Sequence, residues 1–542
     1  MKELSKAGQN RSITPFILAV VTCSIVLAFI ISKILQHTNG FFSYPVDDAY
    51  IHMQIAKNLA FHGTWGINAG EFSSASSSIL YTLLLAGVFR IAGDHLLIPF
   101  LVNAVAAIVL LYVIWRWLRK ENISQIAQLV ILLLVIFITP LHLLVMTGME
   151  HTLQCLFSFL FLFRFADWLQ SVSADNKTAW KIPAEVYIYA LLTATIRYEG
   201  LFLVGMAILV LFWYRQFFAG IKLGIIAILP VFAFGIISVM KDSYFLPNSV
   251  LVKSEAAQFS IKGIIQAIGL ILSERFTFSK VGVALLATQR LLFILPLAYL
   301  FFSGPLRSQR SYRFLLVALT AATFMQLALA DTGKFYRYEA YLMLCSTVIL
   351  SVLVMRNWKS LMQWPSWIRL TMAGIIVFFL FLPILFRTIT ANVKVPRAGI
   401  NIYEQQYQMS SFLKKYYDGE AVAANDIGAI AYFTKMKVVD LWGLGNIDIA
   451  RSKKGGYWTA PFLDSISREK GASVAIVYDS WIDASLPPSW KKAGEWKIQQ
   501  NVVCGDDHVS FYAIDSTQLP RLIQNLHSYQ PSLPPGVLVS YQ

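Results

Sequence analysis

Apolar residues run in long unbroken blocks up to about Thr388, and beyond it they thin into short alternating runs. A helix that crosses a ~30 Å hydrocarbon core needs roughly 20 apolar residues. That length predicts about eleven spans, near 15–35, 96–116, 125–146, 150–170, 183–197, 200–214, 222–240, 287–303, 314–331, 340–356 and 369–388. Ser77–Ile91 is also apolar, but it is short and Arg90 stands at its end, so it reads as an interfacial helix. Lys2, Lys6 and Arg11 precede the first block and no small-residue cleavage site follows it, which predicts an uncleaved signal anchor.

The basic residues test this count. With the N-terminus inside and Ser77–Ile91 left out, the hinge from Arg116 to Lys120 falls in the cytoplasm. So do Lys177 and Lys181, Arg215 and Lys222, Arg307, Arg310 and Arg313, and Arg356, Lys359 and Arg369. Counting Ser77–Ile91 as a span would move every one of these groups outside, against the positive-inside rule. The pattern therefore predicts a transmembrane module over 1–388, with a first external loop over 36–95, and an extracytoplasmic tail over 389–542. The expected location is the inner (cytoplasmic) membrane.

After Thr388 the period changes. Ala421–Asn425, Val438–Leu441, Val474–Tyr478 and His508–Ile514 have the short apolar pattern of strands, while Glu404–Tyr417 and Pro461–Lys470 read as amphipathic helices. The fold class expected is a polytopic α-helical membrane protein with a small C-terminal α/β domain. Pro534-Pro535 and the polar end read as a loosely held terminus.

Composition agrees. Of 542 residues, 57% are hydrophobic and only 14% charged, against about a quarter charged in soluble proteins, and the mean hydropathy is +0.59. A net charge of +15 would fit a nucleic-acid partner, but the Lys and Arg residues sit in hinges between apolar blocks, so none is expected. Cys23, Cys155 and Cys345 lie inside apolar segments and Cys504 is alone in the tail, which makes no disulfide framework. The histidines lack paired ligand spacing, and no metal or cofactor is expected. Gly443-Leu444-Gly445 reads as a turn, and Gly505-Asp506-Asp507-His508 as a hairpin turn.

The first external loop opens with Tyr44-Pro45-Val46-Asp47-Asp48-Ala49-Tyr50-Ile51-His52. A carboxylate near the membrane boundary, where water thins, becomes more basic. That suits a general base taking a proton from a hydroxyl. The same residues also make a good helix start, with Asp47 as cap, and the sequence leaves cap and catalyst both open. Further polar groups gather at outer span ends: Glu150 with His151, Arg197 with Glu199, Asn248 with Lys253, and Arg337 with Tyr338. Each Arg/Glu set could be a local ion pair. Several sets meeting on one face beside an acidic loop predict a site, because ionisable groups in a membrane are costly and usually functional. Arg197, Lys253 and Arg337 are the candidates for an anionic headgroup.

These stretches resemble the GT-C superfamily of membrane glycosyltransferases. Val46-Asp47-Asp48-Ala49-Tyr50-Ile51, with Ala56 to Ala60, Gly63 and Asn68-Ala69-Gly70-Glu71, is similar to the first external loop of the branch containing mycobacterial arabinofuranosyltransferases. So are Gly148-Met149-Glu150, Arg197-Tyr198-Glu199-Gly200, Leu246-Pro247-Asn248-Ser249 with Lys253, and Arg337-Tyr338. In the tail the similarity extends over Asn425 to Tyr432 and Val439 to Leu444. The chain departs from the branch in having Tyr198 for Pro and Ser249 for Thr. The resemblance implies a polyprenyl-phosphate-sugar donor and an envelope glycan, lipid or protein acceptor. It also implies Asp47 as catalytic base with Asp48 beside it, and substrate contacts from His52, Glu150, Arg197, Glu199, Asn248, Lys253, Arg337 and Tyr338. The alternative is a transporter or flippase of envelope precursors. That alternative would favour internal repeats and helices broken at the midplane, and the sequence shows no repeat.

Overall fold

The computed structural model describes residues 12–172, 180–253, 290–306, 309–330, 335–376 and 382–541. The blocks expected at 287–303, 314–331 and 369–388 lie partly outside these residues, and so does the side chain of Lys253.

Helices fill the described parts of the apolar blocks. Thr14–His37, Ile98–Lys120, His151–Ser171, Phe217–Met240 and Arg310–Leu329 are long and apolar enough to cross a membrane, by length and composition. Shorter apolar helices span Ile79–Ala92, Gln125–Ile138, Ala184–Ile196, Gly200–Trp213 and Ala340–Arg356. The block expected at 125–146 is divided, because Pro140 has no N–H to continue the ladder; a separate helix, Leu141–Met146, follows it. In Thr14–His37 28% of the most apolar stretch is buried, and in His151–Ser171 78%. The latter is therefore enclosed by its neighbours and the former is peripheral.

The bundle has two chemically distinct ends. At one, the Arg356 guanidinium donates to Glu121 at 2.6 Å, Tyr312 also donates to Glu121, and Arg310 donates to the carbonyl of Val172 at 3.1 Å. At the other end lie Glu150, Arg197, Glu339 and the start of helix Asp48–His62. Successive described helices run between the two, so the described basic hinge residues collect on one side and the candidate chemistry on the other.

Helix Leu382–Ile402 runs through position 388, where the domain boundary was expected, and leads by a π-helical turn, Tyr403–Tyr407, into helix Gln408–Tyr416. Six strands follow: β1 Ala421–Ala424, β2 Lys437–Asp440, β3 Ala472–Val477, β4 Lys491–Ile498, β5 His508–Ala513 and β6 Val537–Tyr541, in the order β2-β1-β3-β5-β4-β6. β1 pairs in parallel with both β2 and β3, and the remaining pairs are antiparallel. Residues at the carboxyl ends of β1 and β3 therefore emerge side by side, at the point where the connections diverge. The expectation of a loose terminus is corrected. Val537–Tyr541 forms an edge strand on β4, with Val537 buried at its start, and helix Leu519–Tyr529 covers the sheet with Leu522, Leu526 and Tyr529.

Candidate functional site

Helix Asp48–His62 begins at the chemical end of the bundle, held by aromatic packing. Tyr44 packs edge-on to Tyr50 at 5.7 Å and donates its hydroxyl to the carbonyl of Leu96 at 2.7 Å. Gly148 has φ +62°, and a Cβ there would meet the Tyr44 ring at 2.5 Å. Only glycine fits that conformation at that approach. The turn it makes sets Met149 and Glu150 against the first loop.

From this frame a polar network assembles. Arg337 donates to the Asp48 carboxylate at 2.7 Å and lies 5.2 Å from the centre of the Tyr338 ring. Arg197 stacks on the same ring at 5.0 Å. It donates through Nη1 to Glu150 at 2.7 Å, and through Nε and Nη2 to the two oxygens of Glu199 at 3.0 and 2.6 Å. His52 Nε2 is 3.5 Å from Glu150, and its Nδ1 is 3.2 Å from the Ser76 hydroxyl. The structure thus joins Asp48, His52, Glu150, Arg197, Glu199, Arg337 and Tyr338 in one connected cluster.

The two arginines are not equivalent. Arg197 has all three nitrogens committed to carboxylates. Arg337 is 4% exposed and has one carboxylate contact; its Nη1 faces the Met149 sulfur at 3.0 Å, and its Nε has no acceptor among the described residues. A guanidinium carries five N–H donors, so Arg337 keeps donor capacity for an anion. Asn248 starts the short helix Asn248–Lys253 and is 1% exposed. Its backbone N–H donates to Ser74 at 2.9 Å, while both side-chain amide atoms lack a partner among the described residues.

Asp47 does something the sequence did not reveal. As the residue before helix Asp48–His62 it stands at the cap position, but its side chain makes no bond to that helix, which corrects the local-cap reading. The carboxylate instead turns to the start of the short helix Gly428–Phe433, which follows β1. Its two oxygens accept from the backbone N–H groups of Gly428 at 2.6 Å and Ala429 at 2.8 Å. A Cβ on residue 428 would lie 2.4 Å from an Asp47 oxygen, so this approach requires glycine. Asp426, just after β1 and two residues before the Gly428 that Asp47 binds, neighbours Asp47 and accepts from Gln406 at 2.8 Å and Tyr478 at 3.2 Å. Burial raises the pKa of Asp47 well above the carboxylate range; the Asp426 charge adds to this and the two N–H groups oppose it. Asp426 is raised as well, first by burial.

Asp426, Gln406 and Tyr478 are site residues that sequence reasoning missed. Position at a strand end favours capping as the duty of both Asp426 and Asp440. For Asp440 it is the observed one: its oxygens accept from the N–H groups of Trp442, Gly443 and Gly445 at 2.6–3.1 Å. Asp426 has side-chain donors instead. Gly505 to Asp507 lie in the hairpin connection between β4 and β5 and His508 opens β5. Asp506, Asp507 and His508 are the one group among the described residues whose ligand atoms are close enough to hold a metal ion.

Comparison with known proteins supplies the fold class. Residues 399–512 match a family described as a domain of unknown function (DUF8728), and no curated protein matches the chain. Its structure resembles ArnT from Cupriavidus metallidurans bound to undecaprenyl phosphate, with a TM-score of 0.52 at 12% identity over 93% of this chain and 99% of ArnT. The apo ArnT structure gives 0.51 at 11% identity, over 93% and 98% of the two chains. It also resembles the archaeal oligosaccharyltransferase AglB from Archaeoglobus fulgidus in complex with an inhibitory peptide and a dolichol-phosphate. There the TM-score is 0.50 at 12% identity, over 92% of this chain and 74% of AglB. At 11–12% identity the likeness is one of fold. Among the described residues five helices are long and apolar enough to cross a membrane, as in a multi-pass membrane protein.

Proposed function

We propose that this chain is a membrane glycosyltransferase that moves a sugar from a polyprenyl-phosphate carrier to an acceptor hydroxyl on an envelope glycan, lipid or protein. The observation that carries the reading is Arg337: a buried guanidinium with unspent donors, in one cluster with the first-loop carboxylate Asp48. Charge-assisted donors of this kind bind phosphate strongly. The lipid phosphates bound by ArnT and AglB support the same donor class. The first-loop motifs favour the arabinofuranosyltransferase-like branch, and no cofactor is assigned.

In this reading Asp47 takes the acceptor's hydroxyl proton while that oxygen attacks the anomeric carbon. The bond from carbon to the phosphate oxygen breaks, and polyprenyl phosphate leaves with its charge held by Arg337. In-line attack inverts the anomeric centre. Geometry favours Asp47 over Asp48, because the Asp48 carboxylate is held by the Arg337 guanidinium at 2.7 Å. Asp48 then orients Arg337. His52, Glu150 and Tyr338 brace the cluster, and Asn248, whose side-chain amide has no partner among the described residues, contacts the sugar.

Arg337→Ala tests the donor site. A charge-assisted contact is worth about 1.5–3 kcal/mol, so the variant should bind polyprenyl phosphate at least several-fold more weakly. It should still fold, because water can reach the Asp48 it leaves behind. Unchanged affinity for the carrier removes the phosphate role.

The proposed topology has the N-terminus inside, eleven spans, Ser77–Ile91 interfacial and the tail outside, with its basis in the basic hinges. Cysteines introduced near Arg119 and Arg310 should resist membrane-impermeant reagents in intact cells. Ready labelling at both sites overturns the scheme.

A further inference from the structure

The Asp47–Asp426 contact joins a first-loop residue to the carboxyl end of β1. Two turns converge to make it. Asn425 ties β1 to β3: its side-chain amide donates to the carbonyl of Tyr478 at 3.0 Å and its oxygen accepts the Tyr478 N–H at 3.1 Å. Two residues after Asp426, the backbone at Gly428 and Ala429 grips Asp47. Asp426 is thereby held against Asp47 from the far side, with Gln406 and Tyr478 fixing its orientation. The other titratable groups facing the pair are Asp48, Tyr50, Tyr478 and Cys504. Burial keeps the two tyrosines and the cysteine neutral. Among the described residues no Lys or Arg forms an ion pair with Asp47 or Asp426. Two neighbouring buried carboxylates without a cation repel each other unless a proton lies between them.

We propose that Asp426, supplied by the C-terminal sheet, is a positioning residue for the transfer reaction, making Asp47 a stronger base and holding with it the proton taken from the acceptor. The inference rests on Asp47 being the base. The reactive form is the pair that has lost its shared proton to water, which is why activity follows its titration. As the acceptor O–H breaks, its proton passes to Asp47 and is shared with Asp426. The new bond forms between the acceptor oxygen and the anomeric carbon, and the phosphate departs with the electron pair of the bond that breaks. The pair, now with one proton, returns it to water after the product leaves. Because Asp426 favours protonation of its neighbour, activity should rise with pH along a limb set above the ordinary carboxylate range.

The test is the pH–rate profile of the full-length protein in detergent or nanodiscs, with a polyprenyl-phosphate sugar as donor. Asp426→Asn removes the charge and keeps the shape. Its acidic limb should move down by about one pH unit or more, since one unit corresponds to a tenfold change in proton affinity. Its plateau should fall, because Asp47 is then a weaker base. A purely structural role would lower folded yield without moving the limb. An unmoved limb, with Asp47→Asn inactive at every pH, overturns the proposal and leaves the base in place. An active Asp47→Asn overturns both. Should Asp426→Asn not fold, infrared difference spectra of the wild type decide. A carboxylic-acid carbonyl band should persist at neutral pH and titrate above the ordinary range; its absence overturns the proposal.

Discussion

Asp47→Asn is expected to cut turnover by about 10²–10⁴-fold, the usual cost of losing a general base. It should do so with donor affinity nearly unchanged, because the phosphate is assigned to Arg337. The substitution is not structurally silent. Both Asp47 oxygens accept backbone N–H groups, and an asparagine can accept only one of them while turning its NH₂ toward the other. That mismatch should cost about 1–3 kcal/mol, so turnover must be expressed per folded molecule, measured by monodispersity and thermal unfolding. Asp48→Asn gives the contrast. It removes the charge partner of Arg337 and should weaken donor binding more than it slows the chemical step. If Asp48→Asn is the inactive variant and Asp47→Asn keeps its rate, the base is Asp48, and the contact to Gly428 is only a clasp between the first loop and the sheet.

The transmembrane helices were readable because membrane spanning needs a long apolar run, and such runs stand out. The sheet was readable where its strands carry an unbroken apolar run, as in β1 and in β3 from Val474 onward. β4 escaped because Lys491-Lys492-Ala493-Gly494-Glu495-Trp496-Lys497-Ile498 looks polar. Its register shifts between Lys492 and Gly494, so the buried Ala493, Trp496 and Ile498 lose the strict alternation that marks a strand. In the site, the sequence showed which residue types gather but not how each is used. The Arg197–Glu199 pair is local and legible. Its second partner, Glu150, comes from another helix, so the sequence could not show that Arg197 is bonded to two carboxylates where Arg337 is bonded to one. Asp47 and Gly428 are 381 residues apart. Nothing short of the fold could show that an apparent helix cap reaches across to another helix, or that Asp426 stands behind it.

Arg197→Ala should be the most destabilising change in the cluster, for a reason that separates it from Arg337→Ala. Glu150 is fully buried, and without Arg197 its remaining polar side-chain contacts among the described residues are His52 at 3.5 Å and the Ser77 hydroxyl at 3.4 Å. Removing one partner of a buried pair strands the other charge, at a cost of about 3–5 kcal/mol. Whole-protein stabilities are typically about 5–15 kcal/mol, so the loss should appear as a large drop in unfolding temperature in detergent. Arg197→Lys should not rescue it, because one ammonium cannot replace a planar fork bonded to two carboxylates. Arg197→Ala with Glu150→Gln should recover part of the loss, since the stranded charge is then gone, and the shortfall from additivity measures the coupling between the two residues. A different outcome reassigns the residue. If Arg197→Ala unfolds at the wild-type temperature but no longer binds the carrier, Arg197 is a ligand rather than a strut. Its three contacts to Glu150 and Glu199 would then be a resting arrangement that the phosphate replaces.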